Sequence, residues 1–427
     1  MDKFIIKGPT PLNGVIPVSG SKNAALPLMS AALLADGPTS IEAVPRLRDI
    51  YTFNNVLRVT GARVDFDEHK DAITIDPSHV SHFEAPYDLV RKMRASFYML
   101  GTLLGRYGQA SVSLPGGCAW GPRPVNLHLE GMKALGAKID LDNGYVIARA
   151  AGDRLQGGSF TLEPSSVGAT INLLLAAVLA KGSSVIRNAA IEPDVVQLCN
   201  ALEKMGAQIE GIGSRTLEIE GVENLDGINW KNASDRIETG TYMIAAAMHP
   251  DSEVTLTHAA TDDLGDFPGI FQQTGVDLKI NKAENTIHVK APDKIRPISI
   301  ETSVYPGFPT DLQAQWATLM TQARGSTTVT DHVYPDRFNY VPELNRLGAQ
   351  ILVENNIASI DGPTPLHGAN VMSTDLRASV SLVLAGLIAE KETEVLRVYH
   401  LDRGYEQLEL KLNKVGASIE RIFDPEN

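Results

Sequence analysis

A chain of 427 residues, 43% hydrophobic and 21% charged, is long enough for two or three domains and has the composition of a folded protein rather than a disordered one. Its formal net charge of −13 argues against nucleic acid or an anionic membrane as the main partner. Two cysteines, Cys118 and Cys199, cannot build a disulfide framework, so a reducing, cytoplasmic setting is expected.

Taken from its start, the chain opens on Met1-Asp2-Lys3-Phe4-Ile5-Ile6-Lys7, too short an apolar run for a secretory signal. The longest apolar run, Leu173 to Ala180, is far too short to span a bilayer. Helix patterns begin near Lys22, Arg94, Ser166, Asp235, Asp311 and Asp375. Their bodies, such as Ala24 to Ala35, are apolar nearly all round, which predicts buried helices rather than amphipathic surface ones. β-branched strands follow them, including Ser183-Ser184-Val185-Ile186 and Ser326-Thr327-Thr328-Val329.

A second marker alternates with the first. Thr60-Gly61-Ala62, Leu135-Gly136-Ala137, Met205-Gly206-Ala207, Thr274-Gly275-Val276, Leu347-Gly348-Ala349 and Val415-Gly416-Ala417 recur roughly every 70 residues, the scale of a repeated supersecondary unit. Glycine there fits the left-handed position that closes a helix. Alternating segments follow, for example Lys138-Ile139-Asp140-Leu141 and Gln350-Ile351-Leu352-Val353, and these read as strands. The unit therefore holds two helices and about four strands, and it occurs six times. A single solenoid is one arrangement. Two domains of three units is more compact, because one core rarely grows beyond about 250–300 residues. The midpoint falls near Asn232-Ala233.

The stretch Leu114-Pro115-Gly116-Gly117-Cys118-Ala119-Trp120-Gly121-Pro122-Arg123 is a loop by composition, with three glycines and two prolines in ten residues. It offers a thiol and a cation on a backbone that can approach a ligand closely. Alone, it is equally a surface turn with an incidental cysteine. The helix starts carry polar groups: Lys22-Asn23, Arg94-Ala95-Ser96, Ser166-Val167-Gly168, Asp235-Arg236, Asp311-Leu312-Gln313 and Asp375-Leu376-Arg377. Ser and Asp there are ordinary N-caps. Lys22, Arg94, Arg236 and Arg377 are different, because the helix dipole disfavours a cation at that end unless an anion lies nearby. No phosphate loop of the Gly-x-x-x-x-Gly-Lys-Ser/Thr type and no dinucleotide fingerprint is present. The ten histidines lack metal-ligand spacing, and His128 reads as a hydrogen-bonding residue.

These residues resemble the UDP-N-acetylglucosamine 1-carboxyvinyltransferases, a family of enolpyruvyl transferases. The likeness runs over nearly the whole chain. It is carried by Ser19-Gly20-Ser21-Lys22-Asn23-Ala24-Ala25-Leu26, Arg91-Lys92-Met93-Arg94-Ala95-Ser96, the Cys118 loop, Ser166-Val167-Gly168-Ala169-Thr170, Asp235-Arg236-Ile237-Glu238-Thr239-Gly240, Phe308-Pro309-Thr310-Asp311-Leu312-Gln313, Thr374-Asp375-Leu376-Arg377-Ala378-Ser379 and Asp402-Arg403-Gly404-Tyr405. The resemblance implies an α/β fold, an inside-out α/β barrel of two domains with three repeated units each, helices inside and sheets outside. It places residues 21–233 in the first domain and residues 1–20 with 234–427 in the second, with the active site in the cleft between them.

The implied reaction moves the enolpyruvyl group of phosphoenolpyruvate to the 3′-hydroxyl of UDP-N-acetylglucosamine, an early step of peptidoglycan synthesis. Those two small molecules are the expected partners, with no nucleic acid, membrane, metal or cofactor. By similarity Cys118 is the acid and Asp311 the base, while Lys22, Asn23, Arg123 and Arg403 hold phosphoenolpyruvate. Arg94, Arg123, Pro124, Val125, Asn126, Leu127, Pro164, Ser165, Ser166, Val167, Asp311 and Val333 match nucleotide contacts, and Arg337, Asp375 and Arg377 join them as substrate-binding positions. The family's loop cysteine is also the group that the epoxide fosfomycin alkylates. Asn126, Trp120 and Pro335-Asp336 depart from the family pattern. Two other readings stay open: an enolpyruvyl transferase with another acceptor, shikimate 3-phosphate or a different uridine nucleotide, and a non-catalytic sugar-nucleotide-binding protein.

Overall fold

In the computed structural model, which describes residues 2–91, 93–115 and 125–423, the sequence repeat is one supersecondary unit used six times. Each unit runs central helix, strand, flanking helix, then an antiparallel hairpin. The six central helices are α1 (Lys22–Ala31), α2 (Met99–Tyr107), α3 (Val167–Ala177), α4 (Arg236–Ala247), α5 (Gln313–Met320) and α6 (Leu376–Ile388). The flanking helices span Arg48–Val59, Asn126–Ala134, Pro193–Lys204, Phe267–Gln273, Val341–Arg346 and Leu408–Lys414. The six glycines that mark the ends of the flanking helices all have φ between 82° and 112°, a conformation that L side chains rarely adopt.

Local chemistry sets the helix starts. Ser21, Ser166, Asp235 and Asp375 each accept a backbone N–H of the first turn through their side chains, so they are true caps. Two starts differ from the simple expectation. Arg94 and Asp311 do not open α-helices directly but lie in tighter 3₁₀ turns, Arg94–Tyr98 and Thr310–Leu312, that feed α2 and α5. No side chain caps either turn, so the extra turn replaces the missing cap. Once inside, α3 and α6 are buried on nearly every residue, and each fully buried Leu or Val there stabilises the fold by about 1.5–3 kcal/mol.

Contacts divide the chain into two units, Gly20–Ala233 and Met1–Ser19 with Ser234–Asn427. Each has its own core and three four-stranded sheets. Within each sheet, one strand is borrowed from the preceding repeat and pairs in parallel with the strand that follows the central helix. In the first unit Glu84–Ala85 joins Gln109–Ser113, Ser159–Thr161 joins Ser183–Arg187, and Asn229–Lys231 returns to Thr39–Glu42, closing the ring. The core holds Phe53, Phe97 and the leucines of α3. Gly20 begins this unit, and a Cβ there would sit 1.8 Å from the Ala43 carbonyl oxygen, so only glycine lets the chain pass.

The other unit closes differently. Ile300–Thr302 joins Gly325–Asp331, Asn370–Met372 joins Lys391–Leu396, and Asn13–Pro17 joins Glu253–Thr257. Among the described residues, the last repeat supplies one hairpin strand of its own, Ile419–Ile422. Its missing strand is Lys3–Gly8, which lies antiparallel between Ile419–Ile422 and Lys391–Leu396. The strand Lys3–Gly8, from the other end of the chain, therefore completes the sheet of the sixth repeat. Trp316 anchors this core, packed edge-on to Phe267 and Phe308, with its Nε1 donating to the Ile298 carbonyl at 3.2 Å. No helix among the described residues is long and apolar enough to cross a membrane.

Candidate active site

In the unit that contains Ser234–Asn427, three residues from separate parts of the chain meet at one carboxylate. Arg337 Nη2 lies 2.7 Å from Asp311 Oδ1, and Arg377 Nη2 lies 3.3 Å from Asp311 Oδ2. Asp311 sits in the 3₁₀ turn before α5, Arg377 in the first turn of α6, and Arg337 in the loop after the strand Gly325–Asp331. Burial would raise the Asp311 pKa, but the Arg377 and Arg337 charges outweigh it and hold the carboxyl well below the usual carboxylate range. Arg377 is only 8% exposed and spends Nη1 on the Tyr405 hydroxyl at 3.1 Å. That hydroxyl also lies 2.9 Å from Thr241 Oγ1 and 3.3 Å from Gln315 Nε2, so α4, α5 and α6 are stitched together behind the pair. Asp375 caps α6 by accepting from the Arg377 amide at 2.8 Å.

Val333 lies in the same loop as Arg337. Its amide donates to Asp331 Oδ1 at 2.9 Å. Arg403 ends the 3₁₀ segment Val398–Arg403, two residues before Tyr405. Its neighbour Asp402 is gripped by Arg421 from the last strand, at 2.5 Å and 2.8 Å.

The unit Gly20–Ala233 holds the other expected positions. Lys22, the first residue of α1, places Nζ 2.9 Å from Asp49 Oδ2, and Asn23 beside it is exposed. The cations expected to need an external anion at helix starts thus have protein carboxylates in two cases: Lys22 has Asp49 and Arg377 has Asp311. Arg236 instead lies over the Tyr305 ring, 5.6 Å from its centroid. Arg94 is half-buried at the start of its 3₁₀ turn. Pro164 is exposed after a cis bond, and Ser165 Oγ accepts from Arg215 Nη1 at 3.2 Å. Ser166 caps α3, and Val167 is its first residue.

Val125, Asn126 and Leu127 open the helix Asn126–Ala134, where Asn126 is exposed. One residue on, His128 is buried against α3, with Nδ1 2.9 Å from Asn172 Nδ2. Asn172 Oδ1 accepts from the Gly101 amide at 2.6 Å, which fixes the amide orientation and makes Nδ2 the donor. Neutral His128 therefore carries its proton on Nε2. Burial, helped by the nearby Arg94 charge, pushes its pKa down to about 3. Cys118, Arg123 and Pro124 lie outside the described residues. Cys199 is 1% exposed in the flanking helix Pro193–Lys204, and burial pushes its thiol up to about 12, so it stays protonated and unreactive.

Comparison with known proteins places this arrangement in a family. Residues 6–412 match the family described as EPSP synthase (3-phosphoshikimate 1-carboxyvinyltransferase). The chain is 55% identical over 422 residues to UDP-N-acetylglucosamine 1-carboxyvinyltransferase of Chloroherpeton thalassium, covering 99% of this chain and 97% of that one. The chain belongs to the UDP-N-acetylglucosamine 1-carboxyvinyltransferase family. A second member, from Chlorobaculum parvum, is 50% identical over 99% of this chain and 98% of its own. Among solved structures, the enolpyruvyl transferase NikO from Streptomyces tendae superposes with a TM-score of 0.90 at 28% identity, covering 99% of each chain. EPSP synthase from Acinetobacter baumannii superposes with a TM-score of 0.78 at 19% identity, over 99% of this chain and all of its own, a likeness of fold.

As a member of the UDP-N-acetylglucosamine 1-carboxyvinyltransferase family the chain is a transferase with the inside-out α/β barrel fold. Several groups around the expected positions carry no signal in the sequence. Asp49 meets Lys22 and Tyr405 meets Arg377 across a long stretch of chain, as Asp331 meets Thr310 beside Asp311 and Asn172 meets His128 beside Leu127. The one local hint is that Tyr405 lies in the Asp402-Arg403-Gly404-Tyr405 motif.

Proposed function

We propose that this chain transfers the enolpyruvyl group of phosphoenolpyruvate to the 3′-hydroxyl of UDP-N-acetylglucosamine and releases phosphate. The observation that carries this reading is the 55% identity to an enzyme named for that transfer, over essentially the whole of both chains. The consequence is a cytoplasmic enzyme of peptidoglycan synthesis that fosfomycin inactivates.

The chemistry is addition followed by elimination. A proton goes to C3 of phosphoenolpyruvate, and C2 becomes electrophilic. The sugar 3′-oxygen bonds to C2 as its proton passes to a base. The tetrahedral intermediate then loses phosphate from C2 and a proton from C3, leaving the enol ether. Cys118 is the proposed acid and Asp311 the proposed base. Asp311 suits the task in a particular way. Its two arginines keep it ionised, so it is always ready to accept, though only weakly basic. A weak base serves when the hydroxyl turns acidic as its oxygen bonds to C2. Lys22, Arg123 and Arg403 are the proposed holders of phosphate and carboxylate charge.

Phosphate release from phosphoenolpyruvate tests the reading. It is expected with UDP-N-acetylglucosamine and not with shikimate 3-phosphate. Release with shikimate 3-phosphate alone would move the chain to the other acceptor. Nucleotide binding without any release would make it a binding protein.

A further inference from the structure

Asp331 ends the strand Gly325–Asp331 and has no exposed surface. Its carboxylate takes four donors. Oδ1 accepts from Thr302 Oγ1 at 2.7 Å and from the amides of Val333 at 2.9 Å and Tyr334 at 2.8 Å. Oδ2 accepts from Thr310 Oγ1 at 2.6 Å. A hydroxyl has one proton, and Thr310 spends it on Asp331. Its oxygen is then an acceptor toward Arg337, whose Nη1 lies 3.1 Å away. Arg337 Nη2 reaches Asp311 at 2.7 Å. The result is one relay of contacts from Asp331 through Thr310 and Arg337 to Asp311, in which the Thr310 proton goes to Asp331 and its oxygen accepts from Arg337.

We infer that Asp331 is a positioning residue for the transfer: through Thr310 and Arg337 it aims the Asp311 carboxylate, and through two amides it shapes the loop that carries Val333. This rests on the proposed function above. The direction of the relay makes the inference sharp. In Asp331→Asn the carbamoyl oxygen keeps the Oδ1 bonds, so the loop is retained. The new NH₂ group faces Thr310 and donates to it. Thr310 then has to turn its proton away from residue 331, so the hydroxyl loses its charged acceptor and the anchor that orients its oxygen toward Arg337 is weakened. Among the described residues, Asp311 is paired with Arg337 from this loop and Arg377 from α6, with Asp235, Asp375 and Tyr405 behind Arg377. Loosening Arg337 leaves Asp311 with one close cation in place of two.

Steady-state kinetics of the full chain with phosphoenolpyruvate and UDP-N-acetylglucosamine test this, with nucleotide binding measured separately. Asp331→Asn is expected to lose about 100-fold in kcat, the scale of a small misplacement of a reacting group. The acid limb of its kcat profile should move to higher pH, which a merely structural lesion would not cause. Thr310→Val, which removes the relay hydroxyl, should lose as much, and the double variant no more than either alone. Thr310→Ser restores the hydroxyl and should restore kcat. A wild-type protein without phosphate release overturns the transferase reading itself. An active wild type with unchanged kcat and pH profile in Asp331→Asn, or additive losses in the double variant, overturns the relay. If Asp331→Asn does not fold, Thr310→Val against Thr310→Ser decides, and equal activity in those two overturns it.

Discussion

Lys22 and Asp49 form a nearly buried ion pair, with Nζ 2.9 Å from Oδ2 and side-chain exposures of 13% and 5%. Each group begins a helix: Lys22 opens α1, and Asp49 lies in the first turn of Arg48–Val59. The helix dipole suits Asp49 and opposes Lys22, so the carboxylate compensates a cation held in an unfavourable place. Asp49→Asn should therefore raise KM for phosphoenolpyruvate about tenfold while leaving UDP-N-acetylglucosamine binding unchanged, a difference of about 1.4 kcal/mol at one ligand. It should also cost about 3 kcal/mol in stability, the scale for leaving one charge of a buried pair alone. Equal changes in both KM values would mean a general loosening of the unit.

Lys22 itself is predicted to act chiefly through its charge. Lys22→Ala should weaken phosphoenolpyruvate handling much more than Lys22→Arg, which can still meet Asp49 and an anion. Equal losses in the two variants, measured by KM for phosphoenolpyruvate, would make the position structural.

Asp311→Ala should abolish turnover and spare nucleotide binding, because it removes the proposed proton acceptor and no proposed uridine contact. The change also leaves Arg337 and Arg377 without their shared carboxylate. Urea denaturation should accordingly show a variant less stable than wild type, and more so at low ionic strength, where two like charges repel over a longer range. Near-normal kcat in this variant would remove Asp311 from the chemistry.

His128 gives the protein a specific acid sensitivity. Its folded pKa is about 3, against 6.5 when unfolded. Between those values the unfolded chain binds a proton that the folded chain refuses, so stability falls as pH drops below about 6.5, by about 1.4 kcal/mol per pH unit. His128→Gln can keep an acceptor for Asn172 without titrating. Its stability is expected to change less than that of wild type between pH 7 and pH 5, read from denaturation midpoints at both values. A parallel decline in the two proteins would assign the acid sensitivity elsewhere.

Cys118 is predicted to act as a proton donor. Cys118→Asp should then keep substantial activity if its surroundings raise the carboxyl pKa, while Cys118→Ser and Cys118→Ala lose most of it, because a hydroxyl is too weak an acid. Fosfomycin should inactivate wild type and spare Cys118→Asp. The other thiol offers no second target, since Cys199 is buried and protonated. Mass spectrometry of the treated proteins would show the adduct, and an inactive but folded Cys118→Asp would favour an obligatory covalent role instead.

What the sequence made legible follows from the range of each interaction. Ser21, Ser166, Asp235 and Asp375 cap their own helices, so their starts can be read from neighbouring residues. The helix-ending glycines are legible for the same reason: the constraint lies in their own φ. At Arg94 and Asp311 the sequence does not distinguish a 3₁₀ turn from the start of an α-helix, because no side-chain cap marks the boundary. The apolar central helices signalled burial but concealed their polar contents. Glu238 in α4 is 1% exposed, and it pairs with Lys411 at 2.7 Å from 173 positions away. Burial raises the Glu238 pKa while Lys411 opposes the rise. Periodicity cannot foresee such a partner, and the pairings of Asp49 with Lys22 and of Asp331 with Thr310 are equally beyond it.

The displaced strand Lys3–Gly8 sets an order of events at the ribosome. It is made first, yet Lys3 bonds Glu394, a residue 391 positions later, and Asp2 meets Arg421 at a separation of 419. Gly20–Ala233 is continuous and can complete its ring as soon as it has emerged. Asn13–Pro17 can join Glu253–Thr257 early in the next body, but Lys3–Gly8 must wait, unpaired, until nearly all of that body has been made. Nascent chains arrested before residue 391 should therefore hold one finished barrel and one with an open seam, a state that a chaperone or a protease can tell apart from the completed protein.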